Sequence, residues 1–122
     1  MKTNKEILDE FGKRLVNDVF DDSLGFINND LKDLKETPEF KNLFEKMNDL
    51  EFTEMKLYTK EVLTGALFKF LQIFEDNDEF KIYFTSKNQK VNLNEISEML
   101  KAEPIIENGW INRFSKEIDD EK

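Results

Sequence analysis

The sequence predicts an α+β fold, mainly α: four to five helices around a central Phe-rich helix at about residues 54–75, with a small antiparallel hairpin at about residues 80–91. Three observations predict it. Apolar residues recur every three or four positions from Ile7 to Leu34 and again from Phe40 to Met47, the spacing of helices with one buried face. From Ala66 to Phe74 only Lys69 and Gln72 are polar, as in a helix covered on most sides. Phe80 to Thr85 alternates with period two, the pattern of a half-buried strand. At 122 residues, without repeats or a Pro/Gly/Ser linker, the chain is expected to form a single domain, 1–122. A charged fraction of 37% leans toward disorder, but twelve Phe at regular spacing outweigh it.

Thr3 and Glu6 form a capping-box pattern that opens the first helix, with Ile7, Leu8, Phe11, Leu15, Val19 and Phe20 on its apolar face. Leu24, Ile27, Leu31 and Leu34 keep the period, so residues 4–34 fit one long helix or two. Thr37 followed by Pro38 reads as an N-cap and first helical residue. Phe40, Leu43, Phe44 and Met47 then give a short helix. Thr53 is the expected cap of the central helix, and Phe68, Phe70, Leu71 and Phe74 its expected core. Truncation of those Phe residues should then cost about 3–5 kcal/mol.

Ser86 to Gln89 reads as a turn, with Lys90 and Val91 pairing back. Asn92 and Glu95 resemble a second capping box, opening a helix through Ile96, Met99 and Leu100 to Pro104. Ile105 and Ile106 fit a third short strand, Asn108-Gly109 a turn, and Trp110 to Ile118 a last short helix. The tail, 119–122, is expected to fray.

The chain holds 18 Lys and Arg against 27 Asp and Glu, a net charge of −9, and neither His nor Cys. Imidazole bases, thiol nucleophiles, disulfides and His- or Cys-ligated zinc are therefore excluded. Residues 1–50 carry 8 basic and 12 acidic side chains, 51–90 carry 6 and 7, and 91–122 carry 4 and 8. No segment is basic, so phosphate neutralisation, which dominates nucleic-acid affinity, has no platform, and anionic membranes are disfavoured likewise. The N-terminus shows no apolar signal region, and cysteine-free composition fits a reducing compartment, so a cytoplasmic location is expected.

Motifs for chemistry are sparse. Ser23, Ser86, Ser97 and Ser115 lack a nucleophile-elbow context, and the four Gly are isolated, so no phosphate-cradling loop is present. Asp76 to Glu79 begins like a calcium loop, but Phe80 takes the third ligand position and no Gly follows at the tight turn. No cofactor and no metal site is expected. Two carboxylates alone can hydrolyse glycosides, so a carboxylate- or divalent-metal-dependent enzyme is one reading, for which a pocket with two or more buried carboxylates would speak. A structural or oligomerisation module is another, for which an exposed apolar stripe on the first helix would speak.

The first reading is a non-enzymatic protein-binding protein with an acidic face for a basic protein partner. Asp18, Asp21 and Asp22, at i, i+3 and i+4, share one face of an ideal helix and are its candidate charged residues. Tyr58 and Trp110 are its candidate aromatic anchors, with core packing as the alternative for Trp110. In size, charge and lack of catalytic groups the chain resembles the small acidic immunity and antitoxin proteins that block basic toxins, a likeness of composition that covers no motif. The resemblance implies an inhibitor of a basic protein. An acidic surface can also imitate nucleic-acid phosphates, but 18 interspersed cations dilute that variant.

Overall fold

The structure, a computed structural model, describes residues 1–118. The tail expected to fray lies outside the described residues. The architecture is mainly helical with one two-stranded antiparallel sheet and a long central helix, as the sequence predicts.

Helix α1 (Asn4–Arg14) begins at the expected capping box. The Thr3 hydroxyl accepts the Glu6 N–H at 3.1 Å, and the Glu6 carboxylate accepts the Thr3 N–H at 3.0 Å. The chain then passes through a π-helical segment, Leu15–Asp21, directly into α2 (Asp22–Asn29). Its wider i→i+5 turn buries Leu15, Val16 and Phe20 and carries Asp21 inward with them. The helical run breaks at Asp30, and α3 (Leu31–Glu36) follows.

Two expected caps are relocated, and a third keeps its place without its box. Thr37 does not open a helix; its hydroxyl donates to the Asp33 carbonyl at 2.9 Å and closes α3, so Pro38 lies in a turn before α4 (Lys41–Glu45). The central helix, α5 (Asp49–Asp76), starts earlier than Thr53. Asn48 accepts the Glu51 N–H at 2.7 Å, and Glu51 accepts the Asn48 N–H at 3.1 Å. Three residues after Thr53 stands Lys56, which cannot accept a backbone N–H, so only the Asn48 site supports a reciprocal box. At the start of α6 (Leu93–Ile96), Asn92 accepts from Asn94 at 3.0 Å, two residues on rather than three, and the helix ends after one turn.

The central helix is not enclosed. Leu67 and Leu71 are buried, but Phe70 is 45% exposed, and Val62 and Ile73 also face solvent. A helix of 28 residues is about 42 Å long, and only α2 and the 3-10 turn Leu100–Ala102 make extensive contact with it. The short elements around it cannot wrap that length. The deepest core instead gathers Val16, Phe20, Leu71, Leu93, Leu100 and Trp110.

The carbonyl of Phe74, near the C-terminus of α5, accepts from Lys81 Nζ at 3.1 Å and from the Asn94 amide. Strands β1 (Tyr83–Ser86) and β2 (Gln89–Asn92) pair from Tyr83↔Asn92 to Ser86↔Gln89 across a two-residue connection. Phe80 to Ile82 stay outside the ladder, except that the Ile82 carbonyl accepts the Leu93 N–H at 3.0 Å. The expected third strand is absent among the described residues. The N–H groups of Ile105 and Ile106 both bond to the Ala102 carbonyl, at 3.0 and 3.1 Å, folding that stretch into turns. Asn108 takes a left-handed φ of 60° in the turn that opens α7 (Trp110–Phe114).

Asp9 ties α7 back to α1. Its carboxylate accepts from Arg113 at 2.9 Å and from Lys5 at 2.9 Å, and the Arg113 bond holds it below the usual carboxylate range. A group with a depressed folded-state value stabilises fully above its unfolded value, and the contribution is lost as pH falls through the folded value. Wild type is therefore expected to lose stability below about pH 4 more steeply than Arg113→Ala, a difference readable as denaturation midpoints at neutral and acid pH.

Candidate functional site

The inward turn of Asp21 builds the most distinctive surface feature. Its carboxylate, only 7% exposed, accepts the Ser115 hydroxyl at 2.6 Å and the Lys116 N–H at 2.9 Å. These bonds fix residues 115–117 across α2. Glu117 then lies over Gly25, held by the side-chain amides of Asn28 at 3.0 Å and Asn29 at 3.3 Å. A carboxylate held at both oxygens is positioned in advance, with little side-chain freedom left to lose on binding.

Glu117 completes a shallow groove of about 490 Å³ lined by Asp21, Asp22, Gly25, Phe26, Asn29, Asp30 and itself. Four of the seven lining residues are carboxylates and none is a cation. On its wall Phe26 is 64% exposed. Phe26 lies four residues after Asp22 on one side of α2, and Asp30, which ends the helix, donates its N–H to the Phe26 carbonyl at 3.3 Å. One aromatic in an acidic ring is the geometry that engages a cationic side chain: the carboxylates supply charge, and the ring face attracts cations and buries apolar stem.

The five sequence candidates are largely separated. Asp22 is exposed in the groove; Asp21 is beneath it, with its carboxylate already bonded. Asp18 lies in a neighbouring concavity with Glu10, Lys13, Arg14 and Asn17, where two cations offset its charge. The π-helical segment, Leu15–Asp21, turns Asp21 off the face that i and i+3 would share in an α-helix. Trp110 is 1% exposed, its ring 5.7 Å from that of Phe11 in an edge-to-face pair, and is a core residue rather than a surface anchor. Tyr58, 68% exposed, lies on α5 outside the groove.

Phe26, Asp30 and Glu117 are the groove residues that sequence reasoning missed. A signal for Phe26 was available: it falls between Leu24 and Ile27, off the apolar stripe those two continue. Glu117 joins through a contact across about 90 residues and left no local trace.

Among the described residues Asp21 is the one buried carboxylate, and no group of three or more acids converges as a metal site. No helix among them is long and apolar enough to cross a membrane. No protein-family model matches the chain, and no curated protein or solved structure matches it.

Proposed function

We propose that this is a small acidic, non-enzymatic binding protein whose α2 groove engages a basic protein partner, in the manner of an immunity or antitoxin-type inhibitor acting in the cytoplasm. The observation that carries the reading is Phe26, about two-thirds exposed in a groove lined by Asp21, Asp22, Asp30 and Glu117 and by no cation. Acidic residues lining one groove without a cation give it a negative potential, which accelerates encounter with a cationic partner and disfavours acidic ones. An exposed aromatic at the centre of such a patch is the usual source of slow dissociation. A lysine or arginine of the partner lying across Phe26 satisfies both requirements.

Affinity capture on the immobilised chain, from extract of the source organism, tests this. A basic protein is expected to be retained near 0.05 M salt and shed near 1 M, where the screening length falls to about 3 Å. Retention of acidic proteins only, or retention indifferent to salt, contradicts it. With the partner in hand, Asp22→Asn/Asp30→Asn is expected to slow association several-fold and leave thermal stability unchanged, since both side chains are exposed.

A further inference from the structure

We infer that α5 forms the interface of a two-fold symmetric, antiparallel dimer, its outer face seated on the same face of a second copy of this chain. Tyr58, Val62, Ala66, Phe70 and Ile73 follow at spacings of four, four, four and three, one continuous stripe about 22 Å long. All five are exposed, Tyr58 most of all. This solvent-facing stripe lies opposite the Leu67 and Leu71 side that packs into the molecule.

The stripe reads nearly the same in both directions. Val62 and Phe70 stand four residues either side of Ala66, and Tyr58 and Ile73 stand symmetrically about the Gly65–Ala66 bond. In an antiparallel two-fold pair centred on the Gly65–Ala66 bond, Tyr58 of each copy meets Ile73 of the other, and apolar side chains face each other along the stripe. The flanking charges lie near-symmetrically about the same point with opposite sign. Glu61 and Lys69 lie four residues either side of Gly65, about 12 Å apart along their own helix, and neither belongs to an ion pair among the described residues. Antiparallel superposition about the Gly65–Ala66 bond brings Glu61 of each copy within one residue of Lys69 of the other, twice.

Gly65 itself packs against nothing among the described residues. A Cβ there meets nothing within 4 Å, whereas one at Gly12 meets the Trp110 ring at 2.4 Å and one at Gly109 meets the Glu103 carbonyl at 2.4 Å. Mid-helix glycine is destabilising, and at the crossing point it lets two backbones approach to the short end of the interhelical range, about 8 Å. The exposed stripe is on the order of 500 Å² per copy, near the upper end for the largest patch on a monomer. Doubled, it reaches about the 1,000 Å² of a specific interface.

Each copy carries −9, so this dimer tightens as salt screens the repulsion, opposite to the salt response of a basic partner in the α2 groove. The two readings therefore fail independently. Sedimentation equilibrium of the full chain between about 10 µM and 1 mM, at low and high salt, is expected to show a monomer–dimer equilibrium strengthened by salt. Val62→Lys is expected to weaken it at least tenfold. Because the chain has no cysteine, Ala66→Cys tests the register without reference to stability. Mild oxidation is expected to link it into a disulfide dimer, while Phe26→Cys on the α2 face stays monomeric. A monomer across the whole range at both salts overturns the inference; so does a dimer indifferent to Val62→Lys, or an Ala66→Cys that does not cross-link faster than Phe26→Cys.

Discussion

Trp110→Ala is expected to lower the free energy of unfolding by about 3–5 kcal/mol, the largest single-residue loss in the molecule. Trp110 is the largest of the fully buried side chains, and it sits where α1, the π-helical segment and α7 meet. Its ring lies directly on the backbone of α1 at Gly12, so close that a Cβ there stands 2.4 to 2.5 Å from three ring atoms. Gly12→Ala is expected to be destabilising for the same reason. The helix-propensity gain of about 1 kcal/mol is outweighed by overpacking of about 1–3 kcal/mol and by the ring displacement that accompanies it. In the Trp110→Ala background the obstruction is gone, and Gly12→Ala should become stabilising. A double-mutant cycle by urea denaturation reads this reversal of sign; two effects that simply add would refute the close approach.

Asp21→Ala is expected to cost about 1–3 kcal/mol, since it strips the partner from a buried hydroxyl and from a backbone N–H. Asp22→Ala, one residue on, is expected to change stability by less than about 0.5 kcal/mol, because that side chain is exposed. The two neighbours also separate in their effect on binding. Loss of Asp22 removes charge alone. Loss of Asp21 releases residues 115–117 from α2, and with them the fixed position of Glu117. Amide exchange at Lys116 should rise sharply in Asp21→Ala and stay unchanged in Asp22→Ala. Equal protection at Lys116 in the two variants would show that Asp21 does not anchor this segment.

Most of the fold is legible in the sequence where local signals agree. Thr3 with Glu6 starts α1, the 80–91 stretch holds the hairpin, and apolar density marks α5. Where two local signals compete, the reciprocal one prevails: Asn48 has Glu51 to complete its box and Thr53 has only Lys56. Burial was the less legible property. A run as apolar as Ala66 to Phe74 implies cover, but cover depends on how many other elements reach the helix. Here Phe70 is left in water for want of them.

The groove was half legible. Asp21 and Asp22 stood out by spacing, but their separation into one buried and one exposed residue follows from a π-helical turn that no residue pattern announced. Glu117 depends on tertiary contact alone. The −9 charge is a similar case. As a total it describes solubility as much as function; in the α2 groove it is concentrated, where four acidic residues and no cation line the surface around Phe26.

The most direct measurement compares two baits in the same extract, wild type and Phe26→Ser, captured at low salt and quantified protein by protein. Phe26 contributes little to the core, so both baits should melt at closely similar temperatures. A basic protein held by wild type and depleted at least tenfold on Phe26→Ser is the expected result. Equal capture of the same proteins by both baits would contradict the assignment of the α2 groove as the binding site.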